Sequence, residues 1–189
     1  GKGVYSAKAR ASWLDALDAS SRLAVETLYA ELDALEPLKL QAEKAMVTAS
    51  HRHAVSRQLE TIPGLGAIRV AQLLPIVVTP FRFRTRRQFW SYCGLGIVMR
   101  SSSDWVQTQE GWQRAQLSVP RGLNKHSNRT LKAIFKGAAT TVLQAWPEDP
   151  LHAHYRRLLD QGTRPHLAKL TLARRLAAIA LRLWKTEEV

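Results

Sequence analysis

The sequence predicts a mainly α protein: a helical domain with a helix-hairpin-helix and a small β-hairpin insert, preceded by a coiled-coil-like helical arm. Three observations predict it. Apolar residues recur at spacings of three and four over most of the 189 residues, the period of an amphipathic helix. Two such patterns meet at Pro63-Gly64-Leu65-Gly66, whose glycines favour a tight turn. From Trp105 to Val119, apolar and polar residues instead alternate around Glu110-Gly111, as they do in a hairpin.

The arm comes first, over residues 1–56. Ser6 to Ala19 reads as a short helix with Trp13, Leu14 and Leu17 on one side, and Ser20 and Ser21 supply an N-cap for a longer one. Its apolar positions are Val25, Leu28, Leu32 and Leu35, then, past Lys39, Ala42, Met46 and Ala49. That alternation is a heptad seam: either one face of a bundle helix or a coiled-coil arm that dimerises the protein. Pro37 should kink or split it.

The second domain, 57–189, opens with the helix-hairpin-helix. Gly64 and Gly66 let backbone N–H groups approach a phosphate, and the following helix adds the partial positive charge of its N-terminus; the alternative is a tight turn with no ligand. Pro75 and Pro80 bracket Ile76-Val77-Val78 as a linker or strand. A helix through Gln88 to Tyr92 should end at Gly94. Trp105 and Trp112 either stack on bases or, as the more usual outcome, pack one face of the hairpin against helices. Ser127 should cap a helix over Asn128–Gln144 buried through Leu131, Ile134, Phe135, Ala138 and Val142. Asp149-Pro150 opens the next helix, ended by Gly162, and Pro165 the last, with Leu172, Leu176, Ile179 and Leu183 as its core stripe.

Charge narrows the function. The chain carries a net charge of +13 and a pI near 10.6, a field that attracts polyanions. Between Pro80 and Lys136 eleven basic residues face only Asp104 and Glu110, a concentration suited to tracking phosphates. Arg82, Arg84, Arg86, Arg87, Arg121, Lys125 and Arg129 belong to it. The longest apolar run, Val70 to Phe81, is too short for a membrane span, so no membrane partner is expected. The single cysteine, Cys93, excludes a disulfide framework and suits a reducing, cytoplasmic compartment. The chain opens on Gly1 and reads as the C-terminal piece of a longer protein.

At the centre of the basic stretch lies Cys93-Gly-Leu-Gly-Ile-Val-Met-Arg-Ser-Ser-Ser-Asp-Trp105. A serine becomes a nucleophile when a neighbour takes its proton or stabilises the charge that follows. Guanidiniums such as Arg100 suit attack on a phosphodiester, whose transition state they neutralise; three serines are otherwise a plain turn. No Gly-x-Ser-x-Gly elbow is present. The pairs His51/His53 and His152/His154 are spaced i,i+2, on different sides of a helix, and do not read as metal ligands. No metal is expected in this chain.

Together these motifs resemble the C-terminal domain of the bridge-RNA-guided insertion-sequence transposases. Thr61-Ile-Pro-Gly-Leu-Gly66 matches that family's opening hairpin, and Phe83 to Phe89 with Tyr92-Cys-Gly-Leu95 its aromatic segment. Its Ser-Ser-Gly motif falls on Ser101-Ser102-Ser103, and its Lys-x-Gly-Asn signature on Lys125-His-Ser-Asn128, with Ser127 in place of glycine. The resemblance implies that Ser102, with Ser101 and Ser103 as rivals, attacks DNA to form a phosphoserine intermediate. It implies Arg100 as phosphate clamp and Arg121, Lys125, Asn128 and Arg129 as DNA or RNA contacts. It also implies a structured guide RNA, a location on DNA in the bacterial cytoplasm, and a separate RuvC-like domain whose DEDD carboxylates hold Mg²⁺, while the helical arm points to a homo-oligomer, a dimer or tetramer. The rival reading is a non-catalytic helix-hairpin-helix module that binds nucleic acid.

Overall fold

The computed structural model describes residues 2–99, 105–114 and 120–187. It is mainly helical, with two small antiparallel β pairs, and divides into two compact units, Gly1–Met46 and Val47–Val189. No helix among the described residues is long and apolar enough to cross a membrane.

In the first unit a 3-10 turn at Lys2–Tyr5 comes first, and the helix expected over Ser6–Ala19 is broken into a second 3-10 turn at Ala7–Ala9 and a short α1, Arg10–Leu14. Its apolar side buries little, since Trp13 and Leu17 stay exposed. A polar cluster holds these turns instead. Tyr29 is buried and its hydroxyl donates to Val4 O at 2.8 Å. The Arg10 guanidinium lies 4.5 Å from the Tyr29 ring centroid and forms a two-pronged pair with Asp33 at 2.6 and 2.7 Å. The long helix α2, Ala19–Ser50, is capped by Asp18 rather than by Ser20 or Ser21: the Asp18 carboxylate accepts from both serine N–H groups. The Ser20 hydroxyl donates to it as well, and that bond first, with the others from Ser21 and Ser20, favours the charged form and holds the carboxyl well below its usual range. α2 also runs through Pro37 without splitting, because one missing bond leaves the flanking turns of a 32-residue helix intact.

The second unit packs around its last helix. α3 (Ala54–Glu60) turns through Leu65, which is buried as the pattern requires, into α4 (Ala67–Val77). The segment Ile76-Val77-Val78 is thus mostly helix, not strand. Pro75 costs α4 one backbone bond, but Val70, Leu73, Leu74 and Val77 are buried along one face and outweigh it. α4 ends in a γ-turn at Val78, whose φ of 64° is unusual for a β-branched residue; Thr79 N–H closes it on Val77 O at 2.8 Å.

α5 (Arg86–Tyr92) starts with a capping box between Thr85 and Gln88. β1 (Ile97–Met99) pairs with β4 (Pro120–Leu123), and β2 (Trp105–Thr108) with β3 (Gly111–Arg114). α6 (Arg129–Ala145) buries every predicted stripe residue, and α7 (Pro150–Asp160) starts on the Asp149 cap as expected. α8 (Pro165–Glu187) packs against α3, α5, α6 and α7.

The α8 stripe differs from expectation in its second half. Leu172 and Leu176 are buried, but Ala180, Leu181 and Trp184 continue the core while Ile179 is exposed and Leu183 half-buried. Alanines at 173, 177 and 180 are buried beside the leucines, so helices approach closely and the buried arc is wider than a leucine pattern alone suggests. The strands of the expected hairpin form, but their tryptophans do not pack against helices: Trp105 and Trp112 both face solvent.

Candidate nucleic-acid interface

Two chain reversals meet to build the site. After α5, Gly94 takes φ 68°, and a Cβ there would overlap the Ser127 side chain. Asn128 N–H donates to Tyr92 O at 2.9 Å and Asn124 N–H to Gly96 O at 3.0 Å. Asn124 Nδ2 donates to Ser91 O and Oγ, each at 3.2 Å. Asn128 Oδ1 accepts from Leu131 N–H at 2.9 Å, so Asn128, not Ser127, caps α6; Ser127 is used instead to pack under Gly94. The Cys93–Gly96 turn and the Asn124–Asn128 loop therefore form one hydrogen-bonded unit.

From that unit rises the β1–β4 ribbon. Ile97 pairs with Leu123 and Val98 with Gly122; the register then shifts so that Met99 meets Pro120, leaving Arg121 as the extra residue of a bulge. α8 closes the unit from the other side. Trp90 Nε1 donates to Arg174 O at 2.9 Å, and Arg174 Nε donates to Leu95 O at 2.7 Å. Burial pulls the Arg174 pKa below its usual value, and its Nη2 is buried with no hydrogen-bond partner among the described residues. Burial likewise pushes the Cys93 thiol far up, so it stays protonated and is a packing group rather than a nucleophile.

α5 and α8 also wall a groove of about 890 Å³. Arg84, Arg86, Arg175, Arg182 and Lys185 line it around Ile179, with no acidic residue among the described residues that line it. Two of the cations are braced by the fold: Lys185 Nζ donates to Phe83 O at 2.6 Å, and the Arg86 guanidinium lies 5.6 Å from the Trp90 ring centroid. A groove lined by like charges repels cations and is suited to a phosphate backbone.

The family model described as Transposase IS116/IS110/IS902 family matches residues 56–156. The chain belongs to the IS116/IS110/IS902 transposase family. DNA is accordingly a partner of this chain, and transposition its process. No curated protein sequence matches it. The match runs from α3 into α7 and encloses the whole bonded unit described above.

In this transposase the predicted contacts fall in different places. Arg84 and Arg86 line the basic groove, and Arg87 lines a smaller cavity of about 410 Å³ with Trp90, Ser91 and Arg174. Arg82 stays exposed but folds back onto the end of α4: its Nη1 donates to Val77 O at 3.1 Å, and its guanidinium lies 5.2 Å from the Tyr92 ring centroid. Gly64, at φ 82°, is buried against the Ala138 backbone of α6, and Arg69 donates to its carbonyl at 2.5 Å. Gly66 is exposed at the N-cap of α4. Lys125 and Arg129 are exposed on either side of the Asn128 cap. Arg100, Ser101, Ser102 and Ser103 lie outside the described residues, as does the side chain of Arg121.

Arg175, Arg182 and Lys185 escape a sequence reading that takes α8 for its core alone. A signal for them is present: 175 and 182 are seven apart, two turns along one face, and they flank the leucine stripe. Among the described residues no group of three or more His, Cys, Asp or Glu side chains stands together as a metal site.

Proposed function

We propose that this chain is the serine-bearing, DNA-handling part of a transposase, with Ser102 as nucleophile. The observation that carries the reading is the bonded unit: Ser91, Tyr92 and Gly96 are tied to Asn124 and Asn128, and β1 leaves that unit pointing its chain into Arg100-Ser101-Ser102-Ser103. A serine that follows a braced turn so closely in the sequence is suited to meet a phosphate held beside that turn. In the reaction the Ser102 Oγ–phosphorus bond forms as a phosphorus–sugar oxygen bond breaks. The serine's proton ends on the departing sugar hydroxyl, and the phosphodiester energy is conserved for rejoining. Arg100 neutralises charge on the phosphoryl oxygens.

The basic groove, with Arg87, Lys125 and Arg129, binds DNA and a guide RNA in this reading. Gly66, at the start of the α3–α4 hairpin, offers its backbone to a phosphate. α2 joins copies of the protein through its leucines. Mg²⁺ belongs to a RuvC-like domain outside this sequence, and without that domain the chain binds nucleic acid but does not complete strand exchange.

The test is covalent trapping. The chain joined to a RuvC-like domain is incubated with Mg²⁺, guide RNA and nicked DNA and run on denaturing gels. A protein–DNA adduct is expected in wild type, Ser101→Ala and Ser103→Ala and is expected to vanish in Ser102→Ala with DNA affinity retained. An adduct that survives Ser102→Ala moves the nucleophile to another serine. Loss of binding together with the adduct makes the serine loop structural.

A further inference from the structure

We propose that the β2–β3 hairpin is a stacking platform for unpaired bases of the DNA strand being cut. The proposal rests on the Ser102 reading for its location and on the hairpin itself for its chemistry. Trp105 is 58% exposed and Trp112 64%, and every side chain described between Gln107 and Gln113 is exposed as well. The hairpin is nonetheless well formed. Trp105 pairs with Arg114, Gln107 with Trp112, and Thr108 with Gly111. Gly111 takes φ 109° at the turn, and Thr108 Oγ1 donates to Gly111 O at 2.9 Å.

Register puts both rings on one face. Trp105 and Gln107 share a face because strand side chains alternate, and Gln107 lies directly across from Trp112. The two tryptophans are thus diagonal neighbours, roughly 7–8 Å apart. That is about twice the ~3.4 Å between successive bases, which leaves room for one base between two rings. Flat π surfaces open to solvent on a chain of net charge +13 match a base attached to a polyanion.

The tether selects DNA. Trp105 follows Ser102 by three residues, and three residues of chain span at most about 11 Å. The bases within reach are therefore those beside the phosphate under attack. They must be unpaired or opened, because a base inside an intact duplex presents no free face.

The test uses the chain as it stands, with W105A/W112A and W105F/W112F variants, against a single-stranded DNA 12-mer, its duplex and an RNA of the same sequence. Single-strand DNA affinity should fall about tenfold for each tryptophan removed, duplex affinity should hold within about twofold, and the phenylalanine pair should restore most of the loss. The intrinsic tryptophan fluorescence of wild type should be quenched by the single strand. Unchanged single-strand affinity in W105A/W112A overturns the proposal. A larger loss toward RNA than toward DNA overturns the assignment to DNA. A changed oligomeric mass with unchanged affinities makes the face a contact between copies and also overturns it. The assay reads binding alone, so an inactive Ser102 leaves it untouched and its own failure leaves the serine reading standing.

Discussion

Two long helices, α2 and α8, are both rich in leucine and alanine, yet they are opposite in what they bury and in the charge they carry. α8 buries Leu172, Leu176 and Leu181 with a row of alanines and presents five basic residues against one acid. α2 leaves Leu28 and Leu35 about three-fifths exposed, at 61% and 60%, and carries five acids against three basic residues. Its charges are also paired: Arg22 meets Glu26 at 2.9 Å and Lys39 meets Glu43 at 3.9 Å. No ion pair among the described residues includes an α8 side chain. In a chain so basic overall, an acidic helix with exposed leucines is suited to protein and a basic helix with buried leucines to nucleic acid.

That contrast can be broken most sharply at Leu176. Leu176→Ala empties part of a fully buried site and should cost about 2–5 kcal/mol in urea unfolding. Next, Arg175→Gln with Arg182→Gln should weaken DNA binding across sequences and flatten the dependence of log affinity on log salt by about 0.9 for each phosphate no longer neutralised. A slope that does not change would remove the groove from the interface. On α2, Leu28→Lys with Leu35→Lys should leave stability within about 0.5 kcal/mol while lowering the mass seen by light scattering. A large loss of stability would mean these leucines are core.

The smallest effect concerns His154, on α7. Desolvation, then Arg175 and Arg157, hold its pKa below the ordinary value. The unfolded chain therefore binds the proton more readily, and this contribution to stability is present above the unfolded histidine pKa and is lost as pH falls from there through the lower folded value. His154→Gln should unfold with a flatter pH dependence than wild type, measured as the urea midpoint at successive pH values.

Caps and breakers are legible where a residue acts on its own neighbours. Asp149-Pro150 and Gly162 bound α7 as expected, and Gly94 ends α5, because φ limits and first-turn hydrogen bonds are local. Misreadings arise where local preference loses to packing. Pro75 would end a solvent-exposed helix, but α4 has a buried face to keep. Ser127 is a fair cap by type, yet Gly94 sits on it and Asn128 takes the role. The Trp105 and Trp112 side chains follow the alternation that predicts burial, but no helix covers them.

The sequence by itself determined the helical class, the hairpin, the concentration of positive charge and the motifs that mark a transposase, because periodicity, turn chemistry and net charge are properties of the chain alone. Only the tertiary structure decided which cations act together. Arg84 and Arg86 on one segment meet Arg175, Arg182 and Lys185 about ninety residues later, while Arg82, two residues from Arg84, is tied to the end of α4. Spacing along a chain cannot distinguish these fates, since a guanidinium's partner is set by what the fold brings within a few ångströms of it.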